Sequence, residues 1–335
     1  MYKLVAFEMM DEAGIYACMN TLMVGAIMDG SRVQGVIAES RAGREVFYAK
    51  SFVDCTGYGD LAAFAGAEYT EPNDYSVANS FGMGNVDVDG LYQYLKDNDG
   101  IREAATGRRS GKDDKIIRIM GSWASMPEGF RKEAKKIGLQ AATTTVYDNY
   151  FMFVKPNLRL KVSPTDRDAM SKAELELRKR QLKTLELFKK FVPGCENAFI
   201  ARTSPRANIR RGRLISCDYD ITHEDVIEAR HFDDDVFVFS YHDDAEHKVK
   251  KGGTYGIPYR ALRPKGIDNL LVAGMLITSD RRPHQSTRNT VSCMAQGQAA
   301  GTAAALCAQK NKETRELSYS LLRDKLVNDN VYFES

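Results

Sequence analysis

The sequence predicts an α/β fold, α+β in its overall content, and three features support this prediction. Residues 15–50 have the pattern of a strand meander, with a hairpin signal at Asp29-Gly30. Residues 268–274 form a short apolar strand that ends in Gly274, and a helix rich in glycine and alanine follows over 288–305. The chain between these two parts differs in character, which indicates an inserted lobe.

The C-terminal helix of small residues has two explanations. Tight packing against a sheet is the more common one, because small side chains let backbones come close. The alternative is contact with a ligand, since a helix N-terminus carries unpaired N–H groups and partial positive charge that suit an electron-rich edge. The residues alone favour packing and leave the ligand role open.

The N-terminal elements follow in chain order. Leu4, Phe7 and Met10 repeat at helical spacing, and Gly14 ends the predicted helix. The meander that follows is predicted as three strands, over residues 15–28, 32–40 and 45–50.

A glycine turn follows the meander. A short strand runs into Thr56-Gly57-Tyr58-Gly59, and Asp60 is placed to cap a helix over residues 61–66. Glycines at a strand–helix junction let backbone N–H groups face an anion. A plain tight turn explains the same residues.

The middle of the chain predicts a mixed lobe. Residues 82–84 read as a strand or bulge, residues 100–115 as a polar mobile loop, and residues 143–162 as one or two strands. Its aromatic residues are expected in a core. A capping box at Ser171-Lys-Ala-Glu174 is expected to open a long helix that ends at Pro193-Gly194. The predicted inner side of this helix consists of Leu175, Leu182, Leu185 and Phe188.

Arginines concentrate between residues 201 and 266. Five of them crowd into twelve residues: Arg202, Arg206, Arg210, Arg211 and Arg213. A solvated basic strand is the default explanation, and the alternative is binding of an anion, because a guanidinium presents a planar fork to carboxylate or phosphate.

Composition excludes several functional classes. The net charge of +2 predicts no attraction to nucleic acid, and no apolar run reaches the length of about 20 residues that a membrane span needs. The N-terminus lacks a signal-peptide pattern. Six scattered cysteines without a C-x-x-C motif predict free thiols, no metal site and a cytoplasmic location.

Several motifs, taken together and in order, resemble the bacterial FAD-dependent oxidoreductases of the glutathione-reductase-like class, distant relatives of the fumarate reductase flavoproteins. The motifs span about residues 1–308 and comprise Asp54-Cys-Thr-Gly-Tyr-Gly-Asp60, Ile209-Arg-Arg-Gly-Arg-Leu-Ile215, Tyr255-Gly-Ile-Pro-Tyr-Arg260, Asn269-Leu-Leu-Val-Ala-Gly274, His284-Gln-Ser-Thr-Arg288 and residues 297–305. The resemblance implies a three-layer FAD/NAD(P)-binding domain with FAD as cofactor.

The chain departs from this family pattern at its start. Members begin with a strand, a G-x-G-x-x-G turn and a helix, followed by an acidic residue about 20 positions on. Neither feature occurs here. The expected fold is therefore an incomplete FAD-binding domain, and the chain is expected to resemble the C-terminal part of a flavoprotein.

The resemblance implies domain boundaries. The FAD-binding domain would comprise residues 1–70, with the edge meander and the T-G turn, and residues 256–335, with the C-terminal strand and helices. An inserted substrate or cap lobe would occupy residues 71–255.

The resemblance also implies site residues. Met23 would contact adenine through its backbone, Thr56 and Gly57 would flank the ribose and pyrophosphate, and Gly274 and Met275 would meet the pyrophosphate and ribityl chain. Asn289, Thr290 and Val291 would present helix N–H groups to the pyrimidine edge of the isoalloxazine. His284 is the predicted substrate-side acid or base because it lies just before this helix, and a structural histidine at a loop is the alternative. Arg288 and His242 are the other predicted catalytic residues, and the predicted substrate-binding residues are Arg210, Arg211 and Arg260.

The implied function is hydride transfer between a small organic substrate and flavin N5. The alternative is a truncated or split flavoprotein that is inactive alone and needs a second chain carrying the G-x-G-x-x-G segment. A nicotinamide-only dehydrogenase is a third reading, which the missing nucleotide fingerprint disfavours.

Overall fold

The computed structural model of the chain describes residues 2–101, 103–121, 123–145, 147–240 and 249–334. Their contacts form two compact units. Unit 1 comprises Met1–Thr70 and Arg213–Ser335, and unit 2 comprises Glu71–Gly212. The first segment of unit 1 ends at Thr70, and residues 213–255 belong to unit 1. The assignment of a cofactor-binding role to unit 1 and a substrate role to unit 2 stays a prediction.

Unit 1 contains both helices and short strands in the described residues, and the mixed helix and strand content confirms the predicted α/β class. Its helices are α1 (Tyr2–Glu12), α2 (Asp60–Phe64), α6 (His223–Ile227), α7 (His284–Thr287), α8 (Thr290–Lys310) and α9 (Tyr319–Asn328), with 3-10 turns at Lys250–Gly252 and Tyr259–Leu262. Its strands are β1 (Leu22–Asp29), β2 (Arg32–Ser40), β3 (Gly43–Tyr48), β4 (Phe52–Asp54), β5 (Tyr69–Thr70), β13 (Leu214–Ile215), β14 (Asp235–Phe239), β15 (Tyr255–Pro258) and β16 (Leu270–Val272).

Unit 2 contains the remaining elements. Its helices are α3 (Val88–Asp97), α4 (Glu128–Ile137) and α5 (Arg167–Phe191). Its strands are β6 (Val77–Ala78), β7 (Phe81–Gly84), β8 (Glu103–Arg109), β9 (Lys112–Gly121), β10 (Leu139–Thr144), β11 (Tyr150–Leu158) and β12 (Phe199–Thr203).

The predicted meander is confirmed as the antiparallel sheet β1–β2–β3. Asp29 pairs with Arg32 across the hairpin, where Gly30 has a φ of 57°. The first strand starts at Leu22 and not at residue 15. Asn20, at a φ of 54°, and the bond from Thr21 Oγ1 to Met19 O make a turn just before it.

The parallel pair of β4 and β16 forms the centre of unit 1. Leu270 lies opposite Phe52 and Val272 opposite Asp54, and all three residues of β16 are fully buried. Helix α8 packs against both strands and buries Ala299, Ala300 and Ala303. The small residues therefore serve close helix–sheet packing along this face, as predicted.

Helix α1 forms where the sequence predicts it, but it buries none of its residues within the described structure. Leu4, Phe7 and Met9 are all more than half exposed. This helix therefore presents an apolar face that the described part of the chain does not cover.

Unit 2 is built on a seven-stranded sheet whose order is β12-β7-β11-β10-β9-β8, with β6 pairing with β11. The prediction of a mobile loop over residues 100–115 was wrong. Most of this stretch belongs to the β8–β9 hairpin, which turns at Ser110 and Gly111 with φ values of 52° and 79°. Strand ladders satisfy the backbone here despite the polar sequence.

Helix α5 begins four residues before the predicted capping box. Asp166 is its N-cap and accepts from Ala169 N at 2.7 Å, whereas Ser171 lies inside the helix and donates to Arg167 O. The predicted inner side is also wrong in part. Leu175 and Leu182 are 67% and 61% exposed, and the buried positions include Ala173, Leu177, Gln181, Thr184, Leu187 and Phe188.

An aromatic cluster fills the core of unit 2. Trp123, Phe130 and Phe188 meet in edge-to-face contacts with ring centroids 5.2–5.7 Å apart. Phe151 joins this core, as predicted, while Phe153 is 41% exposed below the guanidinium of Arg202.

Candidate functional site

A buried carboxylate holds the glycine turn after β4. Asp54 Oδ1 accepts from Thr56 N at 2.9 Å and from Thr56 Oγ1 at 2.7 Å, and Oδ2 accepts from Ala62 N at 2.9 Å. Thr56 Oγ1 in turn accepts from Asp60 N. The strand end, the turn and the first turn of α2 are thus fixed by one side chain, which sequence reasoning did not single out.

The predicted cap of α2 was wrong. Gly59, in the left-handed region at a φ of 65°, is the N-cap, and no side chain caps the helix. Asp60 is the first helical residue and pairs with Arg213 Nη1 at 2.7 Å. A Cβ at Gly59 would lie 2.4 Å from Ile215 Cδ1, so the close approach of β13 requires glycine there.

The end of β16 is tied to α8 through a buried amide. Gly274 has a φ of 106°, and its N–H donates to Gln296 Oε1 at 2.7 Å. Gln296 Nε2 donates to Thr287 O at 2.8 Å, in the turn that precedes α8. The predicted strand-end glycine and the predicted helix tip are therefore held by one residue, Gln296, which the sequence analysis did not select.

The N-terminus of α8 is open to solvent. Asn289 caps it by accepting Val291 N at 3.1 Å, and Thr290 and Val291 are exposed. The other N–H groups of a first helical turn have no partner within the helix. At Gly297 and Gly301, further along, a Cβ would meet nothing within 4 Å. The tip therefore has room for a ligand edge.

The predicted catalytic residue His284 is fully buried in the short helix α7. Its Nδ1 lies 3.3 Å from Ser279 Oγ, which lies 3.2 Å from Thr287 Oγ1. Nearby, the hydroxyls of Tyr255 and Ser286 are 2.6 Å apart, and burial raises the pKa of Tyr255 well above its usual value. This group forms a buried hydroxyl network beneath the tip of α8.

Arg288 affects the pKa of the Cys293 thiol in the first turn of α8. Burial raises the pKa of Cys293 to about 11, with Arg288 opposing the rise and Cys55 adding to it. Helix α8 also packs against β4, the strand that leads into the glycine turn, so the turn and the helix lie in the same part of unit 1.

The structure places the other cofactor candidates in unit 1. Met23 lies in β1, is partly buried and packs against the main core. Met275 follows Gly274, and its Cε would be 3.5 Å from a Cβ on Gly57. Gly57 itself has a φ of 83° and leaves this side of the turn open to Met275.

The substrate-binding candidates occupy different places. Arg211 is buried in unit 2 with its Nε 3.5 Å from Asp74 Oδ1, and Arg210 is half-buried in the same unit. Arg260, in unit 1, pairs with Asp234 and lies over the rings of Tyr219 and Phe232. His242 lies outside the described residues.

A parallel strand pair whose glycine turn meets an open, small-residue helix tip is typical of α/β domains that bind dinucleotide cofactors. The chain belongs to the FAD dependent oxidoreductase family, which matches residues 1–326. FAD is the cofactor of this family. The open tip, the positive φ at Gly57 and Gly274 and the bare outer face of α8 fit such a flat, anionic group.

Solved structures give weaker likenesses. A geranylgeranyl bacteriochlorophyll reductase-like protein from Thermoplasma acidophilum is 12% identical, with a TM-score of 0.45 over 93% of this chain and 54% of that one. The myxobacterial chondrochloren halogenase CndH is 10% identical, with a TM-score of 0.41 over 94% and 52%. For the p-nitrophenol 4-monooxygenase PnpA from Pseudomonas putida the values are 11%, 0.38, 92% and 52%.

The chain thus spans about half the length of these three structures. Their low TM-scores give no ground for carrying a substrate from them to this chain. No curated protein gives a significant sequence match.

The described residues contain neither a membrane-spanning helix nor a metal-binding cluster. None of their helices is both long and apolar enough to cross a membrane. No group of three or more His, Cys, Asp or Glu side chains among them is arranged to hold a metal ion.

Proposed function

We propose that the chain carries the flavin-facing part of an FAD-dependent oxidoreductase that acts on a small organic substrate. Bound FAD would supply the hydride chemistry at its N5 atom. The observation that carries the proposal is the open N-terminus of α8, which Gln296 holds against the strand end at Gly274. Family membership supports the same proposal.

The proposed cofactor contacts follow the strand ends and the helix tip. Thr56 and Gly57 would flank the ribose and pyrophosphate, Gly274 and Met275 the pyrophosphate and ribityl chain, and Met23 would offer backbone groups to adenine. This proposal is supported by the exposure of Thr56 and by the proximity of Met275 to the Gly57 turn.

The tip of α8 would stabilise negative charge on the pyrimidine edge of the flavin ring. Asn289 Oδ1 already accepts the Val291 N–H, so the other N–H groups of the first turn, at Thr290 and Ser292, would act together with the helix dipole. Asn289 then has a positioning role, because it fixes the start of the helix.

We propose proton-handling roles for the polar groups below the tip. His284 is buried, so a proton would pass from its Nδ1 through Ser279 Oγ and not directly to a substrate. Arg288 would hold an anionic group near the tip. The catalytic role of His242 rests on the sequence alone.

The proposed substrate contacts of Arg210, Arg211 and Arg260 rest on guanidinium chemistry. Arg211 and Arg260 each already face a carboxylate, so a substrate anion would have to compete with Asp74 or Asp234. Arg210 is half-buried in unit 2. The substrate-lobe role of unit 2 remains part of this proposal.

FAD titration of the purified chain tests the proposal directly. Free FAD fluoresces, and stacking against protein quenches it. We expect saturable quenching and a visible flavin spectrum that bleaches anaerobically with a reducing organic substrate. A folded protein that takes up no FAD at tens of micromolar cofactor would refute binding by this chain alone.

A second candidate function is favoured by the exposed apolar side of α1. The exposed side chains of Leu4, Phe7 and Met9 could pack against a further segment. A second chain would supply this segment, which would complete the sheet and carry a G-x-G-x-x-G turn. Under this alternative the chain is inactive alone. Co-expression with such a polypeptide tests it: a stable complex that gains FAD binding supports the alternative, and unchanged binding opposes it.

The compartment is also a proposal. The six cysteines are all free thiols in the structure. This supports a reducing, cytoplasmic environment, which fractionation of the native host can test.

A further inference from the structure

Two leucines of α5 lie on the side of the helix that faces away from the core of unit 2. Leu175 and Leu182 are 67% and 61% exposed. They are two helical turns apart, so both belong to one stripe of the helix surface. The buried side of α5 is filled by other residues, among them Leu177, Thr184 and Phe188. The described part of the chain therefore leaves this apolar stripe uncovered.

The residues along the stripe are arranged symmetrically about the middle of α5. Three pairs of side chains have their midpoint at or just before residue 179: Leu175 and Leu182, Asp168 and Lys189, and Lys172 and Glu186. Of these six side chains, all are exposed except Lys189, which is half-buried. Each leucine thus has a leucine as its counterpart, and each charge has an opposite charge.

This symmetry fits a second copy of the same helix in antiparallel orientation. A two-fold axis through the midpoint brings every residue of one copy opposite its counterpart in the other. Leu175 of one copy then packs against Leu182 of the other, and the symmetry makes this contact twice. At 1.5 Å per residue the three pairs extend over about 30 Å of α5, so the contact runs along most of the helix.

The charges favour the antiparallel orientation over the parallel one. In the antiparallel pair Glu186 of one copy meets Lys172 of the other, and Lys189 meets Asp168. A parallel pair would bring each charge against its own kind, Glu186 against Glu186 and Lys172 against Lys172. Charges at the rim of an interface select orientation and partner more than they add affinity. They therefore identify the partner as a second copy of this chain.

We propose that the chain forms a homodimer in which α5 of unit 2 pairs with α5 of a second copy in antiparallel orientation. Leu175 and Leu182 form the apolar centre of the contact, and the charged pairs flank it at both ends. Lys179 lies beside the two-fold axis, where the two copies bring like charges together. This repulsion keeps the contact weaker than its leucines alone would make it.

Sedimentation equilibrium of the purified chain tests the proposal over about 1–200 µM protein. Mass is the readout, so the result does not depend on flavin binding or on the proposed oxidoreductase function. We expect a reversible equilibrium between monomer and dimer with a Kd in the micromolar range, as for other small interfaces.

A leucine substitution locates the contact. Leu182→Lys should weaken dimerisation by about 30-fold or more, because the lost apolar contact and the added charge both occur twice in a symmetric pair. The side chain is exposed, so the variant should fold normally, as circular dichroism can check. Leu4→Lys is the matched control, since Leu4 is a 63% exposed leucine of helix α1. It should leave the dimer Kd within about two-fold of the wild type.

Charge variants test the antiparallel orientation. Glu186→Lys and Lys172→Glu should each weaken the dimer by about ten-fold, and the chain that carries both changes should recover to within about three-fold of the wild type. The recovery is expected because the exchanged charges still oppose each other across the axis. Lys179→Gln removes the repulsion at the axis and should strengthen the dimer by about three-fold.

Four results would overturn the proposal. The first is a folded chain that stays monomeric at the highest concentration, and the second is a dimer that Leu182→Lys leaves unchanged. The third is an equal loss in Leu4→Lys, which would place the contact on α1. The fourth is a double charge variant that remains as weak as the single ones, because an antiparallel pair requires recovery.

Discussion

The backbone N–H of Gly274 donates to the side-chain oxygen of Gln296 at 2.7 Å, across the junction between β16 and α8. The same amide donates to Thr287 O at 2.8 Å. Gln296 is fully buried, so both backbone groups depend on it. One side chain therefore sets how the strand end and the helix tip face each other.

Replacing Gln296 with Leu should destabilise unit 1 and weaken FAD binding. The change leaves the part-buried N–H of Gly274 and the buried carbonyl of Thr287 without this partner, at a cost of roughly 2–4 kcal/mol in the free energy of unfolding. Urea unfolding and FAD titration measure the two effects. Gln298→Leu, on the exposed side of the same helix, is the control and should change stability by less than about 0.5 kcal/mol. Equal effects of the two changes would contradict the role of Gln296.

Replacing Asp54 with Asn should loosen the glycine turn. The carboxylate accepts three hydrogen bonds, from Thr56 N, Thr56 Oγ1 and Ala62 N, and an amide would turn one acceptor into a donor that faces a donor. We expect a loss of about 1.5–3 kcal/mol in the free energy of unfolding. Asp60→Asn, which affects a partly exposed ion pair with Arg213, is the comparison and should cost less than about 1 kcal/mol. The reverse order of the two losses would refute this account.

Alanine substitutions at Gly59 and Gly66 allow the cost of steric crowding to be distinguished from the cost of backbone strain. Both have positive φ, at 65° and 82°, but a Cβ at Gly59 would lie 2.4 Å from Ile215 Cδ1, while one at Gly66 would meet nothing within 4 Å. Gly66→Ala should therefore cost about 1–2 kcal/mol of stability, and Gly59→Ala about 1–3 kcal/mol more. Thermal unfolding of the two variants checks the difference, and similar melting temperatures would show that Ile215 moves aside freely.

Periodic patterns predicted the parts of the fold whose burial follows hydrophobicity. The three-stranded meander, β16 and the small-residue helix α8 all formed within a few residues of their predicted bounds, apart from the late start of β1. The inner face of α5 was mispredicted because Gln181 and Thr184 occupy buried positions, while Leu175 and Leu182 are exposed. Gln181 donates to Asn79, a pairing about 100 positions away that no local pattern shows.

In the candidate site, too, local patterns predicted some residues and missed those that act through distant partners. The glycines at the strand ends and near the helix tip can be recognised in the sequence, because glycine interrupts a strand or leaves a helix surface without side chains. Asp54 and Gln296 act through buried hydrogen bonds, and their importance depends on partners that only the fold brings near. Two glutamines, Gln296 and Gln298, interrupt the run of small residues, and no local pattern shows which of them is buried.

Cys293 should react slowly with alkylating reagents at neutral pH. Burial raises the pKa of its thiol from 9.0 to about 11, so the reactive thiolate fraction near pH 8 is about 100-fold lower than for an ordinary thiol. Iodoacetamide labelling followed by peptide mass spectrometry over pH 7–10 measures the rate. Because Arg288 lowers this pKa, Arg288→Gln should slow the reaction further. Faster labelling in that variant would contradict the placement of Arg288.

Asp235 should make the stability of the chain depend on pH between about 4 and 6. Burial raises the pKa of this carboxyl group from 3.8 to about 6, a rise that Asp234 increases, and that Phe232 N–H and His231 oppose. Between these values the folded chain keeps the proton and the unfolded chain releases it, so the free energy of unfolding falls as pH rises through this window. The shift corresponds to a loss of roughly 3 kcal/mol by about pH 7.

Asp235→Asn cannot ionise, so urea unfolding at pH 4.5 and 7 should show a smaller loss on raising the pH than the wild type shows. Asp324→Asn, an exposed change on α9, should keep the wild-type slope. A variant Asp235→Asn whose pH slope equals that of the wild type would mean that the Asp235 carboxyl group titrates alike in the folded and unfolded chain.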